Sequence, residues 1–272
     1  MTKSSIPVVL TIAGSDSGGG AGIQADIKTI SATGSYACSV VTAITSQNTL
    51  GVQAVFPVPV KHIGLQLDSV FSDLSIIAVK IGMLADTSII SLVTSKIRFY
   101  KPKFVVLDPV ISATSGEPLL EMGALRYMVG NLLPLATIIT PNISEALVLL
   151  NNTFNTSNVN IEALSQRLRS LPTPAILLKG GHVDSQRFST DILITRSEVQ
   201  YFSEPRHEAK NTHGTGCSLS AAIASQLARG FSLMEAIREA KHYVNQAISH
   251  ADHMNIGHGI GPIHHFYGAD SV

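Results

Sequence analysis

Residues 8–45 read VVLTIAGSDSGGGAGIQADIKTISATGSYACSVVTAIT, and this pattern indicates the architecture of the whole chain. It begins with an apolar run at Val8–Ala13, passes through a glycine-rich loop, and reaches an amphipathic segment at Gln24–Ala32. A second apolar run follows at Ser39–Thr45. Short apolar runs on either side of a helical segment are typical of a β-α-β unit with parallel, buried strands. The stretch therefore predicts the start of an α/β fold.

The same alternation of apolar runs and amphipathic segments continues over most of the chain. Further buried strands are predicted at Ile77–Ile81, Phe104–Leu107, Ile138–Thr140 and Ala175–Leu178. Helices are predicted near Val60–Leu74, Ser88–Phe99, Ala124–Leu132 and Ile161–Leu171. Strands that are apolar throughout are buried on both faces, so the pattern predicts a mostly parallel central sheet with helices on both sides.

The last third of the chain has a different pattern. The runs Asp191–Thr195 and Val199–Phe202 surround three polar residues, which predicts an antiparallel hairpin at a sheet edge. Two successive helices follow, and the second begins with the capping box Ser232–Glu235. The valine-rich segment Gly51–Val60 is predicted to form a small flap over the sheet. Since no linker or repeat interrupts the sequence, we expect one domain over residues 1–272.

The composition and charge exclude several classes of partner. Of the 272 residues, 45% are hydrophobic and 14% charged, and 19 basic residues balance 19 acidic ones. Without a basic run, neither nucleic acid nor an anionic membrane surface is an expected partner. Cys38 and Cys217 lie far apart and outside any CxxC pair, and no secretory signal sequence is recognised. A cytoplasmic protein with two free thiols is therefore expected.

The segment Asn211–Ala222 reads NTHGTGCSLSAA and carries the strongest sign of chemistry. Gly214 and Gly216 punctuate a short loop, and a small-residue run of helical character follows at once. The first turn of a helix has unpaired N–H groups and the positive end of the helix dipole, so it binds anions and favours a thiolate at Cys217. A glycine cap before an ordinary buried helix is the alternative interpretation.

A second glycine-rich loop follows the first predicted strand. It contains Gly20–Ala25, a match to the GxGxxA pattern of dinucleotide-binding proteins. The glycines begin well after the strand, however, and the next strand ends without a carboxylate to hold a ribose, so this interpretation is rejected. No GxxxxGK[ST] phosphate loop occurs in the sequence.

Polar residues just after the predicted strands rank as candidates for a site, because ligands bind outside the carboxyl ends of strands in open α/β sheets. Lys179 can neutralise a phosphate, and Asp108 can hold Mg²⁺ or a water on it. Glu145 lies three residues after Asn142, in the first turn of a predicted helix. The alternatives are a solvated strand-end lysine, an aspartate that starts the turn at Pro109, and a plain helix-start carboxylate.

Two groups of histidines lead to different predictions. His182 and His213 flank glycine loops and are candidates for contacting phosphate. The histidines near the end of the chain lack the spacing and companion carboxylates of a metal site, so they are predicted to be solvated. These residues are His250, His253, His258, His264 and His265.

Taken in order, these segments resemble the hydroxymethylpyrimidine/phosphomethylpyrimidine kinases, and the resemblance covers nearly the whole chain. The matching segments are Ala13–Asp26, Val41–Thr49, Asp108–Val110, Thr140–Ala146, Lys179–His182, His213–Cys217 and Gly259–Pro262. The resemblance implies a ribokinase-like three-layer sandwich with a small antiparallel edge, and a homodimer. It also implies ATP- and Mg²⁺-dependent phosphorylation of 4-amino-5-hydroxymethyl-2-methylpyrimidine, and then of its monophosphate.

The resemblance also assigns site residues by position. The pyrimidine pocket would be lined by Gly14, Asp26, Gln47, Met83 and Val110. The amide of Gln47 suits a 4-aminopyrimidine edge, because it offers both a donor and an acceptor. The ATP phosphates and Mg²⁺ would be faced by Asp108, Asn142, Glu145, Lys179, His213 and Thr215, with Asp108 and Glu145 at the metal. Catalysis would rest on Cys217, Gly214, Gly216 and Lys179.

Cys217 departs from the wider ribokinase pattern, in which an aspartate at this position acts as the base. Cysteine is usual in the pyrimidine branch, so it supports that branch and leaves the identity of the base open. A pyridoxal kinase of the same fold is one alternative, since some relatives with cysteine in this loop accept pyridoxal. A pyrimidine-binding protein without catalytic activity is the other.

Overall fold

The computed structural model describes residues 6–111, 120, 122–150, 159–180 and 187–269. Within these ranges one sheet of nine strands forms the centre of the protein. The strands are β1 (Val8–Asp16), β2 (Tyr36–Asn48), β3 (Gly51–Pro57), β4 (Ile76–Ile81), β5 (Phe104–Leu107), β6 (Ile138–Ile139), β7 (Ala175–Leu178), β8 (Phe188–Thr195) and β9 (Val199–Pro205). Their order across the sheet is β3-β2-β1-β4-β5-β6-β7-β8-β9.

The middle of this sheet is parallel and both edges are antiparallel. Pairing is parallel from β2 through β1, β4, β5 and β6 to β7. The strand β3 pairs antiparallel with β2, and β8 and β9 extend the other side as an antiparallel hairpin. Because β1 pairs with both β2 and β4, the chain reverses its direction of progress across the sheet at β1. Such a reversal opens a crevice beyond the carboxyl ends of the strands.

Helices cover both faces of the sheet. The helices in the described residues are α1 (Gly22–Ala32), α2 (Val60–Asp73), α3 (Thr87–Tyr100), α4 (Met122–Tyr127), α5 (Ile143–Leu149), α6 (Ile161–Leu168), α7 (Thr215–Ala228) and α8 (Leu233–Ser249). None of them combines the length and the apolar character needed to cross a bilayer.

Successive strand residues point into two separate cores, which gives the protein three layers. Leu10 and Leu107 belong to the core that α2 and α3 cover, whereas Val9 and Val106 belong to the core beneath α7 and α8. Both cores need apolar side chains because neighbouring residues of a strand face opposite sides. The predicted α/β sandwich with a mostly parallel sheet and an antiparallel edge is confirmed.

Three local predictions need correction. The segment Gly51–Val60 is not a flap over the sheet, because Gly51–Pro57 pairs with β2 as an edge strand and leaves most of its side chains exposed. The helix predicted over Ala124–Leu132 is α4 followed by a π-helical turn at Met128–Leu132. The helix predicted to reach Leu171 ends at Leu168. Leu171 precedes Pro172, and the residue before a proline is disfavoured in helical geometry.

Candidate active site

A cavity of about 130 Å³ lies at the strand reversal, beyond the carboxyl ends of β1, β2 and β4. Four of the five residues that the resemblance assigned to a pyrimidine pocket line this cavity, namely Gly14, Gln47, Met83 and Val110. The remaining wall includes Lys80, His213 and Cys217. The sheet topology thus brings together residues that are more than 200 positions apart in the sequence.

The first glycine loop is organised around the carboxylate of Asp16, at the end of β1. Its oxygens accept hydrogen bonds from the N–H groups of Gly18 at 2.8 Å, Gly20 at 3.0 Å and Ala21 at 2.8 Å. Burial alone would raise the pKa of Asp16, but the hydrogen bonds from His213 and from the loop N–H groups outweigh burial and lower it. Asp16 is therefore an ionised centre that fixes the loop along the cavity.

His213 lies at this cavity, between the two glycine loops. Its Nε2 is 3.1 Å from Asp16 Oδ2 and 3.2 Å from Gln47 Nε2. A Cβ on Gly20 would overlap the His213 ring, so the two loops approach closely only because Gly20 has no side chain. The resemblance assigned His213 to the ATP phosphates, whereas its ring contacts Asp16 and Gln47, two residues that line the cavity.

Asp26 does not line the cavity, in contrast to its assigned place in the pocket. Its side chain is fully buried and accepts hydrogen bonds from Thr11 Oγ1 and from Lys80 Nζ, the latter at 2.8 Å to each carboxylate oxygen. Burial alone would lower the pKa of Lys80, but the charge of Asp26 opposes this and raises it to about 12. Asp26 thus holds a charged lysine beside the cavity, and Lys80 is the lining residue.

Removing Lys80 should strongly destabilise the protein. We expect Lys80→Met to lower the free energy of unfolding by about 3–5 kcal/mol, because it leaves the Asp26 carboxylate buried without its partner. The double variant Asp26→Asn/Lys80→Met should recover most of this loss. Urea denaturation measures both, and Lys96→Met is the control, because its pair with Asp68 is partly exposed and should matter little. Equal effects of the two lysine substitutions would contradict the prediction.

A second group of charged residues lies at the ends of β5 and β7. Lys179 Nζ is 2.8 Å from Asp108 Oδ1 and 3.7 Å from Glu145 Oε2, so the lysine lies between two buried carboxylates. Asn142 and Glu145 form a capping box at the start of α5, in which Glu145 accepts from the Asn142 N–H at 2.7 Å. Thr140 Oγ1 also donates to Asp108 at 3.0 Å. The structure therefore clusters four residues that the resemblance assigned to phosphate and metal.

The residues that hold the backbone next to Lys179 were not predicted from the sequence. The N–H of Gly180 donates to Asp191 Oδ1 at 3.0 Å, and Lys241 Nζ donates to Asp191 Oδ2 at 2.8 Å. Both charged side chains are nearly buried, with 7% and 8% of their surface exposed. The Asp191–Lys241 pair connects the end of β7 to α8. The only indication of this pair in the sequence is a charged residue, Asp191, beside an apolar run.

The start of α7 faces the charged cluster. Gly214 is the N-cap residue and has a left-handed φ of 83°, and a Cβ there would overlap the carbonyl oxygen of Gly20. A Cβ on Gly216 would lie 3.4 Å from Lys179 Nζ, which places the first turn of α7 directly against that ammonium. Thr215 Oγ1 donates to the Thr212 carbonyl oxygen at 2.7 Å. The first N–H groups of α7 and a lysine therefore converge, as an anion site requires.

Cys217 is common to both parts of the site. It lies in the first turn of α7 and also lines the cavity. The helix start was expected to favour the thiolate, but burial raises the pKa of the thiol above its ordinary value of 9.0, although Lys80 and the Gly22 N–H oppose the rise. The expectation of a lowered pKa is therefore wrong, because desolvation of the thiol exceeds the effect of its surroundings.

Two further histidine predictions have different outcomes. His265 is buried, not solvated, and its Nε2 is 3.1 Å from Ser218 Oγ on α7. Burial lowers the pKa of His265 to about 4, so it is neutral at physiological pH. His182 lies outside the described residues.

The carboxylates of Asp108 and Glu145 form a donor set that fits Mg²⁺. This cation prefers oxygen ligands and is usually held by one or two carboxylates together with substrate phosphates and water. Both side chains are almost buried and lie beside the same ammonium group of Lys179. A divalent cation with nucleotide phosphates would therefore meet two oxygen donors at this end of the sheet.

Phosphoryl transfer to a small molecule requires a site for the phosphate oxygens, positive charge, donors for a metal ion and a pocket for the acceptor. The structure has a backbone anion site, a lysine and two carboxylates beside a small cavity. Fold and site together define a small-molecule kinase of the α/β class. The sequence model of the family described as phosphomethylpyrimidine kinase matches residues 16–264. The chain belongs to this family.

Known proteins with high similarity agree with this assignment. The chain is 46% identical over 258 residues to the hydroxymethylpyrimidine/phosphomethylpyrimidine kinase of Escherichia coli K12, covering 95% of this chain and 97% of that one. The crystal structure of phosphomethylpyrimidine kinase from Clostridium difficile is 41% identical, with a TM-score of 0.76 over 90% of this chain and 100% of the other. A Staphylococcus aureus pyridoxal kinase in complex with ADP is 30% identical, with a TM-score of 0.88 over 98% and 96%.

Proposed function

We propose that this chain transfers the γ-phosphoryl group of ATP to 4-amino-5-hydroxymethyl-2-methylpyrimidine, and then to the resulting monophosphate, in thiamine biosynthesis. The observation that carries the proposal is the position of Cys217, which lines the cavity and also lies in the first turn of the helix at the anion site. A pyrimidine held by Gly14, Gln47, Met83 and Val110 would direct its hydroxymethyl group toward that helix start. Support also comes from the family to which the chain belongs.

In the first step the hydroxymethyl oxygen attacks the γ-phosphorus of ATP, loses its proton to a base, and ADP leaves. The N–H groups of residues 214–217 and the ammonium of Lys179 stabilise the charge on the transferred phosphoryl oxygens. We propose Cys217 as the base. Mg²⁺, which Asp108 and Glu145 would hold, would neutralise part of the negative charge of the ATP phosphates. His213 would act through the first glycine loop, whose Asp16 it contacts. Asn142 would act through the start of α5, which it caps.

The second step needs less assistance from the protein. The monoester phosphate has its second pKa near ~6, so it is already largely an anion at neutral pH and needs no base. The same anion site serves both steps, since each forms a phosphate next to the start of α7. The two reactions are therefore expected to differ in their dependence on Cys217.

A coupled assay of ADP release tests the proposed function directly. We expect turnover with the hydroxymethylpyrimidine and with its monophosphate, and a kcat/KM for pyridoxal at least about tenfold lower, because the cavity lining matches the pyrimidine assignments. Faster turnover of pyridoxal than of either pyrimidine would make the chain a pyridoxal kinase. Binding of the pyrimidine without ADP release would make it a non-catalytic binding protein.

We also propose a homodimer of a single-domain kinase in the cytoplasm. The edge strand β3 supports association, because Phe56 is 62% exposed and Val55 40% exposed on a strand with one unpaired edge among the described residues. The free thiols of Cys38 and Cys217 support a reducing compartment. The continuous sheet from β3 to β9 supports one domain.

A further inference from the structure

The loop at residues 256–263, here named the tail loop, has no part in the chemistry described above. It follows a short 3-10 helix at Ala251–Met254 and contains glycines at 257, 259 and 261. The loop lies between two segments that are far apart in the sequence, the β2–β3 turn and the turn before α7. Each side of the loop has its own set of hydrogen bonds.

On one side the tail loop is fixed to Thr49, in the turn that joins β2 and β3. Thr49 Oγ1 accepts from the N–H groups of His258 at 3.2 Å and Gly259 at 3.1 Å, and the Thr49 carbonyl oxygen accepts from Ile260 at 3.0 Å. A Cβ on Gly257 would overlap the Thr49 side chain, and one on Gly259 would overlap its carbonyl group. The loop therefore packs against this turn without room for a side chain.

On the other side the tail loop is fixed to Asn211 and His213. The Gly261 N–H donates to Asn211 Oδ1 at 2.8 Å, and the His213 N–H donates to the Gly261 carbonyl oxygen at 3.0 Å. The Ile263 N–H donates back to the His213 carbonyl oxygen at 3.3 Å. The backbone of His213 is thus held by the loop, while its ring contacts Asp16 and Gln47 in the cavity wall.

The end of β2 needs such a support because it lies near an edge of the sheet. Its outer neighbour β3 is mostly exposed, and Leu50 in the connecting turn is 70% exposed. Segments with few buried contacts open locally at low free energy. Gln47, two residues before Thr49, lines the cavity from this weakly packed end of the strand.

We propose that Thr49 is a positioning residue, and that the tail loop fixes the Gln47 end of β2 to the His213 turn and so sets the shape of the pyrimidine pocket. The proposal rests on the proposed function, since it concerns the substrate of the same site. Thr49 acts through Gln47 and does not itself line the cavity. The inference assigns a specificity role to a segment about 45 residues after the anion loop.

The variant Thr49→Val removes the acceptor of two N–H groups and keeps the side-chain size. We expect its KM for the hydroxymethylpyrimidine to rise about tenfold, with the KM for ATP unchanged. The two lost hydrogen bonds hold the Gln47 end of β2, whereas the contacts of the loop with Asn211 and His213, before the anion site, remain. Thr49→Ser keeps the hydroxyl oxygen, so its KM for the hydroxymethylpyrimidine should stay close to that of the wild type. Gly259→Ala should act like Thr49→Val, whereas Gly268→Ala is the matched control, since its added Cβ would meet no atom within 4 Å.

Hydrogen exchange of residues 45–50 gives a readout that does not depend on the substrate. Exchange should be faster in Thr49→Val than in the wild type and Thr49→Ser. The proposal is overturned if Thr49→Val changes neither the exchange rate nor the KM for the hydroxymethylpyrimidine. It is also overturned if the KM values for the hydroxymethylpyrimidine and for ATP rise equally and thermal stability is lost. If the wild type does not phosphorylate the hydroxymethylpyrimidine, the proposed function fails, and exchange alone then decides whether the tail loop holds this end of β2.

Discussion

Replacing Gly214 by alanine is expected to lower kcat by about 10²–10³. The new Cβ would overlap the carbonyl oxygen of Gly20, so the turn before α7 has to move away from the first glycine loop. That movement displaces the N–H groups that we propose to stabilise the transferred phosphoryl oxygens, and it separates His213 from Asp16. Steady-state kinetics at saturating ATP and hydroxymethylpyrimidine measure the loss.

Gly230→Ala is the matched control for this experiment. Gly230 also has a left-handed φ, 97°, but an added Cβ there meets no atom within 4 Å. Both variants therefore incur the conformational strain of about 1–2 kcal/mol, and only Gly214→Ala adds the overlap. If the two variants lost the same amount of activity, backbone strain alone would explain the result, and the close approach of the two glycine loops would not matter for catalysis.

Replacing Cys217 by alanine is expected to reduce kcat for the first phosphorylation by ~10²–10⁴ and to change the second little. The first acceptor is an alcohol that has to lose a proton, whereas the second is a phosphate that is already ionised. Single-turnover rates with each substrate compare the two steps in one enzyme. Cys38→Ala is the control, because Cys38 lies on β2 and is not among the residues that line the cavity. Equal losses in both steps would contradict the assignment of Cys217 as the base.

The raised pKa of the Cys217 thiol predicts a pH dependence with a definite sign. A base acts only when deprotonated, and burial raises the pKa of this thiol above 9.0, so the thiolate is a minor form at neutral pH. The rate of the first step should therefore increase with pH through the alkaline range, and this increase should vanish in Cys217→Ala. The second step should be nearly independent of pH above ~7, because its acceptor ionises near ~6.

The architecture was predictable because hydrophobic pattern and strand length depend on local sequence. The runs Phe104–Leu107 and Ala175–Leu178 form strands with the predicted bounds. The prediction of a flap at Gly51–Val60 is wrong, since valine and proline content does not reveal which strand a segment will pair with. The helix at Ile161 is shorter than its amphipathic pattern predicts, because a proline at position 172 disfavours helical geometry at Leu171.

The site was only partly predictable, because burial and pairing depend on the tertiary structure. Lys179 could be placed at a strand end from sequence, but its contacts with Asp108 and Glu145 require three strands to be side by side. The same holds for the Lys80–Asp26 pair, whose members are 54 residues apart. The helix dipole at Cys217 was recognised, whereas the desolvation that dominates the thiol pKa depends on everything packed around it.

The reversal of strand order at β1 has a consequence for the evolution of substrate choice. A crevice that results from the path of the backbone is present whatever side chains line it, so its walls can be exchanged a few residues at a time without losing the fold. A pyridoxal kinase from Staphylococcus aureus shares this backbone at a TM-score of 0.88 with 30% identity. The lining of the crevice can therefore differ between kinases that share this backbone, without a change in the path of the strands that form it.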